Sequence, residues 1–233
     1  MEKKPFFSVL VAAHNAEKFI RKGLGSIRDQ SFQDYELIVM IDNCTDNTEA
    51  IVKEYIRPEQ DKAVVGSFGS GSASYNAGLD LARGEWVLFM DHDDWWLHEF
   101  AFEMIAKALT DTKDVDIMTY GFIWKGFGLR FSTPTHLYPA QWTKVCRREF
   151  IGDTRFPTEW SAIGDYGFAA SLREKNPRIM CWEMPFYYYN YLCEGSASLG
   201  MKGEDYQNDF SDIPPDAQKA ARAYIESMKN NSF

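Results

Sequence analysis

Residues Gly84–Trp96 read GEWVLFMDHDDWW. Trp86 to Met90 is an unbroken apolar run of bulky side chains. Such a run between polar flanks predicts a strand covered on both faces. It stops abruptly at Asp91, His92, Asp93 and Asp94. Three carboxylates in four residues repel one another, and a hard divalent cation with oxygen ligands relieves that repulsion. In open α/β sheets, ligands bind just beyond the carboxyl ends of the strands. The stretch therefore predicts a metal site at a sheet edge. A solvated acidic turn, or carboxylates capping the next helix, is the other reading of the same residues.

Upstream, Phe6–Ala13 predicts a first buried strand that breaks at His14 and Asn15. Phe19, Ile20, Leu24 and Ile27 then recur at helical spacing over 16–29. Tyr35–Ile41 predicts a second strand, ending in Asp42-Asn43-Cys44-Thr45-Asp46. Thr45 or Asp46 is placed to cap a helix carrying Ile51, Val52 and Tyr55. Ala63–Val65 reads as a short third strand, Gly66–Ser74 as a glycine- and serine-rich loop, and Ala77–Ala82 as a short helix. Four alternations of strand and helix predict a parallel, doubly wound sheet.

Downstream of Trp96, a helix is expected to about Leu109, with Phe100, Met104, Ile105 and Ala108 on one face. Val115–Tyr120 follows as a strand, and a glycine-punctuated hairpin spans 122–131. Ser161–Lys175 reads as helical, with Asp165 in its first turns. Ile179–Trp182 and Phe186–Leu192 read as two strands. Gly195–Asp212 is a polar linker. The tail carries Ala217, Ala220, Ala221, Tyr224, Ile225 and Met228 at helical spacing. Its polar face mixes signs, which favours packing on the body or on a second copy, as a homodimer contact, over docking on a membrane.

The bulk composition narrows the function classes. The chain has 233 residues, 45% hydrophobic and 25% charged, with a net charge of −9. That charge disfavours a nucleic-acid backbone as partner. Cys44, Cys146, Cys181 and Cys193 show no CxxC spacing, so neither a zinc cluster nor a disulfide framework is indicated. The opening apolar run is too short to span a membrane and lacks a cleavage site. A cytoplasmic protein is the expectation, without a transmembrane segment.

Several blocks together resemble one family. SVLVAAHNAEKFIRKGLGSIRDQSFQDYELIVMIDNCTDNT looks like an opening strand, helix and second strand with its acidic turn. SYNAGLDLARGEWVLFMDHDD looks like a helix leading into a DxD strand. IGDYGF looks like a catalytic-carboxylate segment, and YYYNYLCEGSAS like a late strand with a glycine-serine turn. This is the pattern of the inverting, metal-dependent glycosyltransferases of family 2, of the GT-A fold, over roughly 6–198. The chain departs from it in three places: Ile41 stands where a second acid is usual, Gly164 stands where Glu often precedes the catalytic carboxylate, and Asn190, Tyr191 and Cys193 fill positions that often hold Arg or His.

The resemblance implies an α/β GT-A domain, a mostly parallel Rossmann-like sheet with helices on both faces. Residues 1–96 would form the nucleotide-sugar-binding half, 97–200 the acceptor-binding and catalytic half, and 201–233 the linker and final helix. It implies Asp93 as ligand to Mn2+ or Mg2+, and Asp165 as general base. Ala13, Asn15, Asp42, Asn76, Asp91 and His92 would contact the nucleotide sugar, a UDP-sugar by the family's habit. The acceptor would be a sugar or glycan hydroxyl. Assembly of a polysaccharide at the inner face of a membrane would fit by family analogy alone. Trp160 is a candidate platform for an acceptor ring, and Ser196 and Ser198 a candidate lid. Two alternatives stand beside this reading. One is a sugar nucleotidyltransferase, which His14-Asn15-Ala16 disfavours, since a basic glycine-rich loop is expected there. The other is a catalytically silent sugar-nucleotide-binding or structural subunit of a glycan synthase.

Overall fold

The computed structural model describes residues 4–133, 137–159, 164–191 and 193. In chain order the elements are β1 (Phe7–Ala13), α1 (Ile20–Arg28), β2 (Tyr35–Asp42), α2 (Thr48–Tyr55), β3 (Lys62–Gly66), α3 (Gly71–Leu81), β4 (Trp86–Asp91) and β5 (Trp95–Trp96). There follow α4 (Ala101–Asp111), β6 (Ile117–Trp124), β7 (Gly128–Arg130), a 3-10 turn (Gln141–Thr143), β8 (Lys144–Arg147), α5 (Arg148–Ile151), α6 (Gly164–Glu174) and β9 (Ile179–Tyr189).

All the strands join one sheet in the order β3-β2-β1-β4-β8-β6-β9-β5, with β7 hung on β6. The first four run parallel, so that Val9 lies beside Leu37 on one side and Leu88 on the other. β8 runs against both β4 and β6. The expectation of a doubly wound parallel sheet holds for the first half, and the second half makes the sheet mixed.

Alternating side chains explain why both faces are covered. Val9, Val11, Leu37, Val39, Leu88 and Met90 meet Ile20, Leu24 and Ile27 of α1 and Phe102 and Ile105 of α4. Leu10, Ile38, Met40, Val87 and Phe89 meet Tyr75 and Leu79 of α3 and Phe168 and Leu172 of α6. Each strand thus feeds two cores, which is why no polar alternation shows in the sequence. Trp95–Trp96, from the first half, pair with β9 at the far end of the sheet, so the one sheet serves both halves.

Three local expectations are corrected. The loop expected over 66–74 ends early, because α3 begins at Gly71. Ser70 caps that helix by accepting a 3.2 Å hydrogen bond from Ala73 N, and Ser72 and Ser74 are buried. Capping and burial override the flexible composition. The two late strands are one strand, β9, with pairing irregularities on either side of Gly121. Pro185 has no N–H for the ladder, and a Cβ on Gly121 would come within 2.4 Å of the Glu183 carbonyl oxygen. β8 has no counterpart in the sequence reading. Trp160, Ser196, Ser198, the linker and the amphipathic tail lie outside the described residues. Among those described, no helix is long and apolar enough to cross a membrane.

Candidate active site

β1, β2 and β4 run parallel and end together at one edge, so the turns after them converge. After β1, Asn15 adopts a left-handed φ of 46°, and after β2, Asn43 does so at 45°. Asparagine tolerates that region better than most side chains. The Asn15 amide oxygen accepts from Thr45 N at 2.8 Å, and His14 Nδ1 lies 2.7 Å from Asp42 O. Asp46 ties the same turns together, accepting from Thr48 N and Glu17 N at 3.0 Å each. Ala13 is buried, and its carbonyl faces the Cys44 thiol.

Asp42 reaches across this edge. Its Oδ1 accepts from Phe68 N at 2.7 Å and Gly69 N at 3.2 Å, and its Oδ2 from Gly69 N at 3.0 Å. It thereby holds the loop before α3. Asn76, expected among the donor contacts, is engaged by the Phe156 backbone. Its amide donates to Phe156 O and accepts from Phe156 N, both at 2.8 Å, and so fastens α3 to the segment that precedes α6.

The acidic turn after β4 splits its three carboxylates among three directions. Asp91 Oδ1 accepts from Tyr75 Oη at 2.6 Å and Gln141 Nε2 at 2.9 Å. Burial, reinforced by the Asp93 charge, pushes the Asp91 carboxyl up to about 7. Asp94 is fully buried and accepts from Tyr187 Oη and Asn190 N at 2.8 Å each. Burial, then the charges of Asp93 and Asp91, hold it well above the usual carboxylate range. It locks the end of β9 to the turn. A Cβ on Gly23 of α1 would meet the Asp94 carbonyl oxygen at 2.7 Å, so glycine lets the helix sit that close. His92 folds back over β1, its Nδ1 3.2 Å from Ala12 O, because the chain turns there instead of staying extended.

Asp93 is buried, and its Oδ2 accepts a hydrogen bond from the Cys193 thiol at 2.9 Å. Among the described residues no lysine or arginine pairs with Asp91, Asp93 or Asp94, and no three metal-binding side chains form a ready cluster. A buried carboxylate with no cationic partner suits a hard divalent ion. Mg2+-type sites commonly take one or two carboxylates and complete their shell with substrate phosphates and water. The donor set therefore fits Mn2+ or Mg2+ held by Asp93, with Asp91 nearby.

Asp165 stands at the start of α6, half-buried, with Tyr166 N donating to its Oδ1 at 2.9 Å. Burial raises its carboxyl to about 6 against the pull of the Lys144 ammonium. Its charge in turn adds to the upward push on Asp91, so the two acids lie near each other. Lys144 is buried on β8, and its Nζ donates to Pro139 O at 2.9 Å and to Ala140 O. Burial lowers that ammonium to about 8. The sequence reading did not include Tyr75, Gln141, Lys144 or Tyr187. A four-residue strand and a 3-10 turn leave no periodicity from which the second and third of these could be read.

The model of "Glycosyl transferase family 2" matches residues 8–175. The poly(ribitol-phosphate) beta-N-acetylglucosaminyltransferase TarS of Staphylococcus aureus is 29% identical over 222 residues, covering 86% of this chain and 38% of that protein. A crystal structure of S. aureus TarS residues 1–349 in complex with UDP superposes with a TM-score of 0.69 at 26% identity, over 78% of this chain and 60% of that one. The mannosyltransferase PcManGT of Pyrobaculum calidifontis, in complex with GDP-Man and Mn2+, shares the fold at a TM-score of 0.65 and 18% identity, over 98% and 71% of the two chains. The chain spans less than half the length of the curated relatives it matches. With a family match over well over half its residues and the fold shared with TarS, the chain belongs to glycosyltransferase family 2.

Proposed function

We propose that this protein is a metal-dependent inverting glycosyltransferase that moves a sugar from a UDP-sugar to an acceptor hydroxyl. The observation that carries the reading is one juxtaposition. A buried carboxylate with no cationic partner among the described residues, Asp93, lies just past the end of β4, and the charge of a second acid with a raised pKa, Asp165, acts on Asp91 two residues before it. TarS was crystallised with UDP, and PcManGT with Mn2+, which supports both the donor class and the cation.

Transfer breaks the bond from the anomeric carbon to a phosphate oxygen, and charge builds on the departing diphosphate. A divalent cation supplies Lewis-acid stabilisation of that charge when bound. Asp93 would hold it. Asp91, kept in place by Tyr75 and Gln141, would meet the donor ribose or a water of the metal shell. Asp42 retains acceptor capacity on Oδ2 for a base N–H, and Asn15, Ala13 and His92 shape the floor on which the nucleotide rests. Asp165 would take the proton of the acceptor hydroxyl as that oxygen attacks opposite the diphosphate, which inverts the anomeric configuration. A carboxyl near 6 suits a base that must be ionised at neutral pH yet able to take up a proton.

Calorimetry tests the reading. The wild-type protein takes up UDP in the presence of Mn2+, and Asp93→Ala loses the cation-dependent part of that uptake. Undiminished uptake by Asp93→Ala removes Asp93 from the metal site.

A further inference from the structure

A diphosphate approaching this edge meets a chain of net charge −9 and three carboxylates in four residues. The diphosphate of a nucleotide sugar and the Asp93 carboxylate together carry more negative charge than one divalent ion offsets, so a side-chain cation beside the turn has a role. Three lysines are candidates. Lys22 lies over the Trp95 ring, 3.1 Å from its centroid. Lys144 is buried and spends its protons on the Pro139 and Ala140 carbonyls.

Lys125 is different. It follows β6 at the start of the hairpin turn, and its backbone N donates to Tyr189 O at 3.1 Å. Its Nζ donates to Asn190 Oδ1 at 3.0 Å, and Asn190 N donates to Asp94 Oδ1 at 2.8 Å. The ammonium is therefore fixed relative to the acidic turn by two successive hydrogen bonds. Further along the same segment, the Cys193 thiol donates to Asp93 at 2.9 Å. An ammonium has three donors, and Asn190 uses one, which leaves two for an anion. The residue is exposed, so a ligand can reach it.

We infer that Lys125 binds the diphosphate of the donor, as a cation presented from the β6–β7 hairpin, with Asn190 as the residue that positions it. The inference rests on the nucleotide-sugar reading above and assigns a specific phosphate contact within it.

The test compares wild type, Lys125→Met and Lys125→Arg by calorimetry with UDP, GDP and uridine in Mn2+, alongside melting temperatures. Hydrogen bonds to charged groups are worth enough that Lys125→Met is expected to weaken the diphosphate by about tenfold. Uridine should be affected little, the melting temperature should stay near wild type, and Lys125→Arg should recover most of the loss. Wild-type affinity for the diphosphate in Lys125→Met overturns the assignment and leaves the donor reading standing. An equal loss for uridine also overturns it, since that is a structural effect. If the wild type takes up neither UDP nor GDP, the donor reading fails and this assignment falls with it.

Discussion

At the scale of single residues, the proposed chemistry depends on how two aspartates are kept apart in character. Asp93 is buried beside a thiol, and Asp165 lies half-buried across from Lys144. A general base works only when ionised, so the transfer rate should climb as pH rises through about 6 and level off above it. The Lys144 ammonium pulls Asp165 down, so Lys144→Met should move that limb to higher pH. Asp165→Asn should lower the rate by about 10²–10⁴-fold and abolish the limb, while UDP affinity is retained. A pH–rate profile of the three proteins checks all three statements. A wild-type rate in Asp165→Asn would assign the base elsewhere. Asp93 and Asp165 both became candidates from the sequence, through the family resemblance of the DxD strand and of the IGDYGF segment. The partners that tune them could not. Gln141 is 50 residues from Asp91, and Tyr187 is 93 from Asp94. No local pattern records a contact across that separation.

At the scale of elements, the contact between α3 and α6 explains one departure from the family pattern. A Cβ at position 164 would lie 1.9 Å from Ser72 Oγ and 3.2 Å from Ser72 Cβ. Ser72 is buried, so the helices meet where position 164 has room for glycine alone. Gly164→Ala in an unhindered helix would gain roughly 0.5–1 kcal/mol. Here overpacking should cost about 1–3 kcal/mol and reverse the sign. Adding Ser72→Ala should recover much of that loss, because the nearest atom is gone. Denaturant unfolding of both variants reads the difference, and a stabilised single variant would show that the helices can part without penalty. The bounds of α3 carry a similar lesson. Its glycines and serines suggest a loop, yet the Ser70 cap and the buried Tyr75 and Leu79 make it helix.

At the scale of the whole molecule, one buried carboxylate ties together much of the opening half. Asp61 is shielded from solvent and accepts from Leu37 N at 2.9 Å, Arg57 N at 2.8 Å, Arg57 Nε at 2.9 Å and the Arg28 guanidinium. Burial pushes its carboxyl up, but the Arg57 and Leu37 hydrogen bonds win, and the net shift is downward. A depressed pKa adds stability that is present above the unfolded value of about 3.9 and is lost as pH falls through the lower folded value. Asp61→Asn should therefore cost about 3–5 kcal/mol near neutral pH, since it leaves two guanidinium groups without their anion. The gap from wild type should narrow on acidification. Unfolding curves at neutral and acid pH check this, and a gap that does not change with pH would mean the ion pairs contribute nothing.

The apolar runs at 7–13, 35–42 and 86–90 determined a sheet covered on both faces, because continuous hydrophobicity has no other soluble use at that length. The acidic exit at 91–94 likewise marked a candidate site, since charge repulsion between neighbours in sequence needs no fold to be recognised. Only the tertiary structure decided which acid is locked to β9, which is paired with Tyr75 and Gln141, and which meets the Cys193 thiol. It also brought Asn76 to Phe156 and Lys125 to Asn190. Those outcomes depend on distance and burial between residues far apart in the chain, and neither quantity is carried by residue type or spacing.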